Sequence, residues 1–69
     1  MNAYELQFYE AGIKDANESR HITLACRSKR YEALAKELSV KIGDKRGNAT
    51  KSYNAGVAHE INRQTMLEF

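Results

Sequence analysis

Cys26, His21 and His59 are the side chains whose types most readily perform nucleophilic or metal chemistry. On a helix, five residues of separation place His21 and Cys26 about 140° apart, which is beyond the hydrogen-bond reach that an activated thiol needs. The adjacent His59 and Glu60 do not have the spacing of a zinc site. The sequence therefore predicts neither a catalytic cysteine nor a metal site, and we interpret Cys26 as a small core residue beside Ala25.

Residues 43–51 combine glycine with lysine, the residue types that often surround a bound phosphate. The Gly-Lys-Ser/Thr order of a phosphate-binding loop is absent, and no buried strand precedes the segment. Acid–base catalysis needs paired carboxylates or a triad in a cleft, and a few short helices offer little cleft. We therefore expect a protein that is not an enzyme and that uses no cofactor.

The net charge of +2 conceals an uneven distribution along the 69 residues. Residues 1–19 carry four acidic side chains and one basic one, whereas residues 20–51 carry nine basic and three acidic ones. The acidic start can neutralise part of the basic middle, and the remainder should present a positive face.

The candidate partner-binding patch lies where the basic residues are densest. Arg27 and Arg30 are three residues apart and share one face of a predicted helix. Such a face could contact phosphates, or it could be a solvated surface paired in part with the acidic first helix. No aromatic residues alternate with the basic ones, so the pattern lacks a usual feature of nucleic-acid binding. The candidate residues are Arg27, Lys29, Arg30, Lys45 and Arg46.

A short segment occurs twice: the sequence YEAGI at 9–13 returns as YNAGV at 53–57. In a helix, the small Ala-Gly step lets another backbone approach closely, while the flanking tyrosine and aliphatic side chain contact either side. This echo predicts that the first and last helices meet. Tyr9, Gly12, Tyr53 and Gly56 are therefore candidate helix-packing or dimer contacts.

Apolar residues recur at helical spacing, and the chain contains no proline. We predict an all-α fold, a small three-helix unit or helical hairpin, in a single domain of residues 1–69. The expected helices span about 3–17, 20–42 and 49–66. Their predicted buried stripes are Leu6, Tyr9, Ile13 and Ala16, widened by Phe8 and Tyr4; Leu24, Ser28, Tyr31, Ala35, Leu38 and Ile42, with Leu34 beside them; and Tyr53, Val57 and Ile61, with Ala58 alongside.

The boundary between the first two helices is open to two interpretations. The polar cluster at 17–20 favours a break, although a single helix through residues 3–42 also fits. Asp15 with Glu18 looks like a capping pair that starts the second helix near residue 16. Gly43 is the expected C-cap of that helix, and either Asn48 or Thr50 is expected to cap the last one.

A chain this short has a marginal core and gains stability from a staple or a partner. The single cysteine cannot form an internal disulfide. Met66, Leu67 and Phe69 place apolar side chains at the end of the sequence, where they either fold onto the core or meet another chain. We therefore predict a homodimer, or a protein completed by its target, with these three residues as candidate contacts.

No apolar run is long enough to cross a membrane, and residues 1–5 lack the basic start of a signal peptide. The lone cysteine agrees with a reducing compartment. We expect a cytoplasmic protein with no membrane partner.

Two stretches, residues 31–44 and 53–60, resemble the small helical accessory proteins of temperate, lambdoid bacteriophages. The resemblance implies a compact, non-enzymatic regulatory protein that modulates host physiology by binding a host macromolecule. It carries no defined binding residues across.

Two functional hypotheses follow. The first is an interaction protein, acting by stoichiometric contact, that covers a surface of a protein partner with an apolar and tyrosine-bearing patch rimmed by arginines. The alternative is a nucleic-acid-associated regulator that uses the basic central helix and loop. Phosphate contacts would make its affinity fall steeply with salt, whereas a protein interface is much less sensitive.

Overall fold

The computed structural model describes residues 3–38 and 46–67. Within them, helix α1 spans Ala3–Ser19, a single 3-10 turn spans Ala25–Arg27, α2 spans Lys29–Glu37 and α3 spans Arg46–Leu67. These residues contain no strand, which confirms the predicted all-α fold. None of the described helices is both long and apolar enough to cross a membrane.

The first and third helices pack side by side in the same direction. Asn17 contacts Glu60 near the end of α1, and Gly12 contacts Tyr53 and Val57 one turn or more earlier in each helix. Residue numbers therefore increase in the same direction along α1 and α3, and the two helices are parallel. The short α2 runs antiparallel to both, since its N-cap Ser28 contacts Asp15 and Tyr31 contacts Phe8, nearer the start of α1.

Two glycines allow the backbones of α1 and α3 to touch. A methyl group placed on Gly12 would overlap the carbonyl oxygen of Tyr53 and lie 3.0 Å from the amide nitrogen of Val57. A methyl group on Gly56 would overlap the carbonyl oxygen of Tyr9 and lie 3.2 Å from the nitrogen of Ile13. Each glycine thus contacts the backbone of the tyrosine and of the aliphatic residue in the other segment. A Cα hydrogen of each glycine faces the tyrosine carbonyl oxygen. The repeated sequence segment is a close parallel helix crossing.

The core is built from alanines and aromatic rings. Five of the nine buried apolar residues in the described part of the chain are alanine, so the side chains that separate the helices are mostly small. The remaining space holds a run of rings: Tyr4 to Phe8 at 5.3 Å, Phe8 to Tyr31 at 5.2 Å, and Tyr31 to Tyr53 at 5.5 Å between centroids. Offset and edge contacts at these distances are the arrangements that aromatic pairs prefer. Tyr31 and Tyr53 are therefore core residues and do not form the predicted tyrosine-bearing surface patch.

Helix α1 ends with a residue in the left-handed conformation. Arg20 has a φ of 60°, and its backbone N–H donates to the carbonyl of Ala16 at 2.8 Å. Gln64 from α3 donates to the same carbonyl at 3.2 Å. The predicted break near 17–20 is confirmed, with the helix running to Ser19. The expected capping role of Asp15 and Glu18 is wrong, because both lie inside α1.

The second helix is much shorter than the predicted 20–42. It begins at Lys29, where Ser28 caps it by accepting from the N–H of Tyr31 at 3.0 Å. Residues 20–24 do not continue the helix, in keeping with the β-branched pair at 22–23. After Glu37, Leu38 closes the helix with an N–H bond to Leu34. The predicted C-cap Gly43 lies outside the described residues.

The third helix starts at Arg46 and not at residue 49. Asn48 and Thr50 are therefore inside it, and the hydroxyl of Thr50 bonds to that of Tyr31 at 2.9 Å and does not cap. The buried stripes differ from the prediction as well. Leu6 and Leu24, which the spacing places inside, are 45% and 52% exposed. In α1 the buried positions are Phe8, Ala11, Gly12 and Ala16.

Candidate interaction surface

A segment of three residues without helix or turn, Ile22 to Leu24, crosses the surface between α1 and the 3-10 turn, and the backbone of Leu24 is extended. Ile22 and Leu24 point outward and are 70% and 52% exposed. Thr23, between them, points inward, and its hydroxyl lies 2.9 Å from that of Tyr53. This alternation is what an extended backbone imposes on successive side chains. The segment therefore presents two aliphatic side chains to solvent, while Thr23 between them is hydrogen-bonded to Tyr53 of α3.

Asp15 fixes the position of this segment from the other side. Its carboxylate accepts from the Ser28 hydroxyl at 2.5 Å, from the Tyr53 hydroxyl at 2.5 Å and from Arg30 at 2.6 Å. Since the single Tyr53 proton goes to Asp15, Thr23 must donate to the Tyr53 oxygen. One carboxylate thus joins α1, the start of α2 and α3, and through Tyr53 it reaches Thr23.

The charges of this network shift the pKa values of its members. Burial raises the pKa of the Tyr53 hydroxyl, and the hydrogen bond to Asp15 raises it further. The pKa of Arg30 is raised first by its hydrogen bond to Glu18, at 2.9 Å, and also by Asp15. Both pKa shifts favour the protonated form, so Tyr53 stays a hydrogen-bond donor and Arg30 stays a cation at neutral pH.

Two grooves flank the Ile22–Leu24 segment. The first, of about 640 Å³, is lined by charged residues, among them Asp15, Glu18, Arg27, Lys29 and Arg30. The second, of about 370 Å³, runs between the segment and α3, where Val57, Ala58 and Ile61 line it. Ile22, Thr23 and Leu24 line both grooves. We call Ile22, Leu24 and these two grooves the connection surface.

The structure brings three of the predicted basic residues, Arg27, Lys29 and Arg30, to the lining of the first groove. Arg27 lies in the 3-10 turn and Arg30 in α2, so they do not share a helix face as predicted. Arg30 bonds to Asp15 and Glu18, whereas Arg27 and Lys29 are exposed. Lys45 and the side chain of Arg46 lie outside the described part of the chain.

The other predicted contact residues lie in different environments. Gly12, Gly56 and Tyr53 form the α1–α3 crossing, and the Tyr9 ring packs on His59 at 5.8 Å. Met66 is 75% exposed. Phe69 and the side chain of Leu67 lie outside what the structure describes. The interpretation of Cys26 as a core residue is wrong, because its side chain is exposed and only its neighbour Ala25 is buried.

A second polar network joins the far ends of α1 and α3. Glu60 is 3% exposed, and it accepts from Asn17 at 3.1 Å, from Gln64 at 3.3 Å and from Arg63 in a bidentate contact. The Arg63 hydrogen bond is the largest influence on the carboxyl and, with Asn17, lowers the pKa of Glu60 to about 2. This carboxylate is already occupied by three partners, so its role is structural.

Sequence reasoning misses the residues that matter most on this surface. It places Ile22 and Leu24 in a helix and interprets Asp15 as a cap. The β-branched pair Ile22-Thr23 is a signal for extended backbone, and Ser28 is a good N-cap type. Together they could have moved the start of the second helix to Lys29. The partners of Asp15 are 13 to 38 residues distant, and no local pattern reveals them.

Among the described residues, no group of three or more histidine, cysteine, aspartate or glutamate side chains is arranged to hold a metal ion. Comparison with known proteins gives no match to a protein family, to a curated protein or to a solved structure.

Proposed function

We propose that the chain is a small interaction protein that binds and modulates a protein partner through the connection surface, in the manner of a phage accessory or regulatory protein. The observation that carries this proposal is the exposure of Ile22 and Leu24, at 70% and 52%, on a backbone held by the Thr23 and Asp15 contacts. Adjacent exposed aliphatic side chains on a fixed backbone are a feature of protein-binding surfaces. Because the backbone is already ordered, little conformational entropy is lost on binding.

Site-specific photo-crosslinking in the producing cell tests this proposal. A photoreactive amino acid at Leu24 should give a discrete crosslinked species of higher mass. The matched control places the same amino acid at Lys36, an exposed position on α2 away from both grooves. A protein with no crosslink from either Ile22 or Leu24, or with identical crosslinks from Lys36, does not use this surface.

Nucleic-acid binding remains the alternative. It is favoured by the exposure of Arg27 and Lys29, neither of which has a carboxylate partner among the described residues. Phosphate contacts make the logarithm of affinity fall linearly with the logarithm of salt concentration. If the chain binds random duplex DNA in this way, Arg27→Gln and Lys29→Gln should each reduce the magnitude of the slope of log affinity against log salt concentration by about one.

We also infer that the chain forms a homodimer through apolar residues near Met66, which is 75% exposed. Burying such a side chain against a second copy would supplement the marginal core of a short chain. Sedimentation equilibrium of the wild type and of Met66→Ser, over a range of concentrations, measures this. A monomer mass for the wild type throughout that range would contradict the inference.

A further inference from the structure

We infer that the partner presents an acidic amphipathic segment to the connection surface, with its apolar side chains in one groove and its carboxylates over the other. This inference rests on the proposed function and names the chemistry of the partner. It depends on the different linings of the two grooves and on the exposed cations at the edge of one of them.

The groove against α3 accepts apolar side chains. Val57, Ala58 and Ile61 line it on the α3 side, and Ile22 and Leu24 form the opposite wall. Its polar lining residues are Thr23, Asn54 and Asn62, and no charged side chain lines it in the described part of the chain. A side chain entering this groove loses water without having to desolvate a charge, which favours aliphatic or aromatic groups.

The other groove carries two cations that no described carboxylate neutralises. Both of its carboxylates, Asp15 and Glu18, bond to Arg30, and Asp15 also receives the Ser28 and Tyr53 hydroxyls. Arg27 and Lys29 line the same groove and have no such partner among the described residues. The two carboxylates and three cations of this groove together carry a charge of +1, and complementarity calls for carboxylates over Arg27 and Lys29.

The sequence around the segment extends this positive field. Besides Arg27 and Lys29, Arg20 is an exposed cation just before the segment, and residues 20–31 contain no aspartate or glutamate. Acidic residues on the partner would speed the encounter and fix its orientation, while the apolar contacts would supply most of the affinity.

A protein segment fits these linings better than duplex nucleic acid does. A phosphate backbone would be attracted by Arg27 and Lys29 but would leave Ile22, Leu24 and the α3 groove without apolar contacts. An amphipathic segment would place apolar side chains in the groove against α3 and carboxylates near Arg27 and Lys29 at the same time. The combination of the two grooves, and not either alone, defines the expected partner.

Selection from a displayed library of random linear peptides on the immobilised full chain tests the inference. Peptides enriched on the wild type should combine apolar residues with a net negative charge. They should lose most of their binding on an Ile22→Ser, Leu24→Ser variant. On an Arg27→Glu, Lys29→Glu variant their affinity should fall about tenfold, and basic peptides should be selected instead. All four substituted side chains are exposed, so unchanged unfolding curves serve as the folding control.

Three results of the peptide selection would overturn the inference: no enrichment, enrichment without an acidic bias, or equal binding of the selected peptides to the Arg27→Glu, Lys29→Glu variant. Steeply salt-dependent binding of duplex DNA by the wild type, lost in the charge-reversed variant, would also overturn it in favour of nucleic acid. A discrete crosslink from Leu24 without acidic peptides in the selection would remove this partner chemistry and leave the proposed function standing. Failure of both experiments would remove both.

Discussion

The α1–α3 crossing and the connection of residues 20–28 are held in place in opposite ways. At the crossing, backbone meets backbone, and the glycines Gly12 and Gly56 leave no room for even one added methyl group. In the connection, a few side-chain hydrogen bonds anchor Thr23 and Ser28 while Ile22 and Leu24 remain in solvent. The crossing is held by close backbone packing along two helices, whereas the connection is anchored by hydrogen bonds at Thr23 and Ser28.

This difference separates residues that maintain the fold from residues that are free to serve binding. A change at the crossing alters the distance between two helices, because the obstacle is the main chain and cannot move aside. A change at Ile22 or Leu24 does not alter any contact between two backbones, because both side chains are largely exposed. Ile22 and Leu24 can therefore vary with less effect on stability than the crossing glycines.

The largest expected effect is at the two crossing glycines. In an open helix, Gly→Ala stabilises by roughly 0.5–1 kcal/mol. Here Gly12→Ala and Gly56→Ala should instead destabilise by about 1–3 kcal/mol, because the new methyl meets a carbonyl oxygen. Leucine at either position should cost more than alanine. Urea unfolding at neutral pH measures these free energies.

Gly47 provides the matched control. It lies in the first turn of α3 and is exposed, and a methyl group added to it would meet no atom within 4 Å. Gly47→Ala should therefore be neutral or stabilising. If Gly12→Ala and Gly47→Ala shift the urea midpoint in the same direction, the crossing is looser than described.

The Asp15 network should give the next largest effect. Asp15→Asn removes the charge from a carboxylate that is 14% exposed and accepts three hydrogen bonds, and should cost about 1.5–3 kcal/mol. Tyr53→Phe removes one of these bonds and also the hydrogen bond from Thr23, and should cost about 1–3 kcal/mol. Thermal unfolding compares both with Glu10→Gln, an exposed acidic position on α1 that should change little. Equal melting temperatures for Asp15→Asn and Glu10→Gln would show that the connection is not anchored by this carboxylate.

A pH-dependent effect is expected at Glu60. Its pKa in the folded chain is lowered from 4.5 to about 2. A carboxyl with a depressed pKa stabilises the folded state above its ordinary pKa and loses that contribution as the pH falls toward the folded value. The melting-temperature advantage of the wild type over Glu60→Gln should therefore be constant above pH 4.5 and disappear near pH 2. An advantage that does not change with pH would show that Arg63 and Asn17 do not depend on the charge.

The smallest effect on stability is expected in the connection. Ile22→Ser combined with Leu24→Ser should change the free energy of unfolding by less than about 1 kcal/mol, because Ile22 is 70% and Leu24 is 52% exposed. The same variant should lose the partner crosslink. A large loss of stability would mean that the aliphatic pair supports the fold and would weaken the case for a dedicated binding surface.

Local pattern is enough to predict the helical class, the first helix and the meeting of the first and third helices. The YEAGI and YNAGV segments carry a packing signal because small residues at one helical position have a direct geometric consequence. The end of α1 near residue 19 is also predictable, since the polar cluster there interrupts the apolar stripe.

The connection could not be predicted in this way, because its conformation depends on contacts distant in sequence. Leu24 continues the apolar spacing of Tyr31 and Ala35, yet it lies on the surface. The deciding contacts come from Asp15 and Tyr53, on two other helices. For the same reason, the sequence overestimates the charge available on Arg30, which is taken up by Asp15 and Glu18.

The pairing of α1 with α3 has a consequence for how the chain acquires its structure. Gln64 reaches the Ala16 carbonyl across 48 residues, and α2, with nine residues, is too short to be a stable helix by itself. The contact that organises the molecule thus requires closure of a long loop, a slow kind of event for so small a protein. During synthesis, α1 can pack only on α2 until α3 has left the ribosome, so the backbone crossing at Gly12 and Gly56 forms only after residues 46–67 have been made.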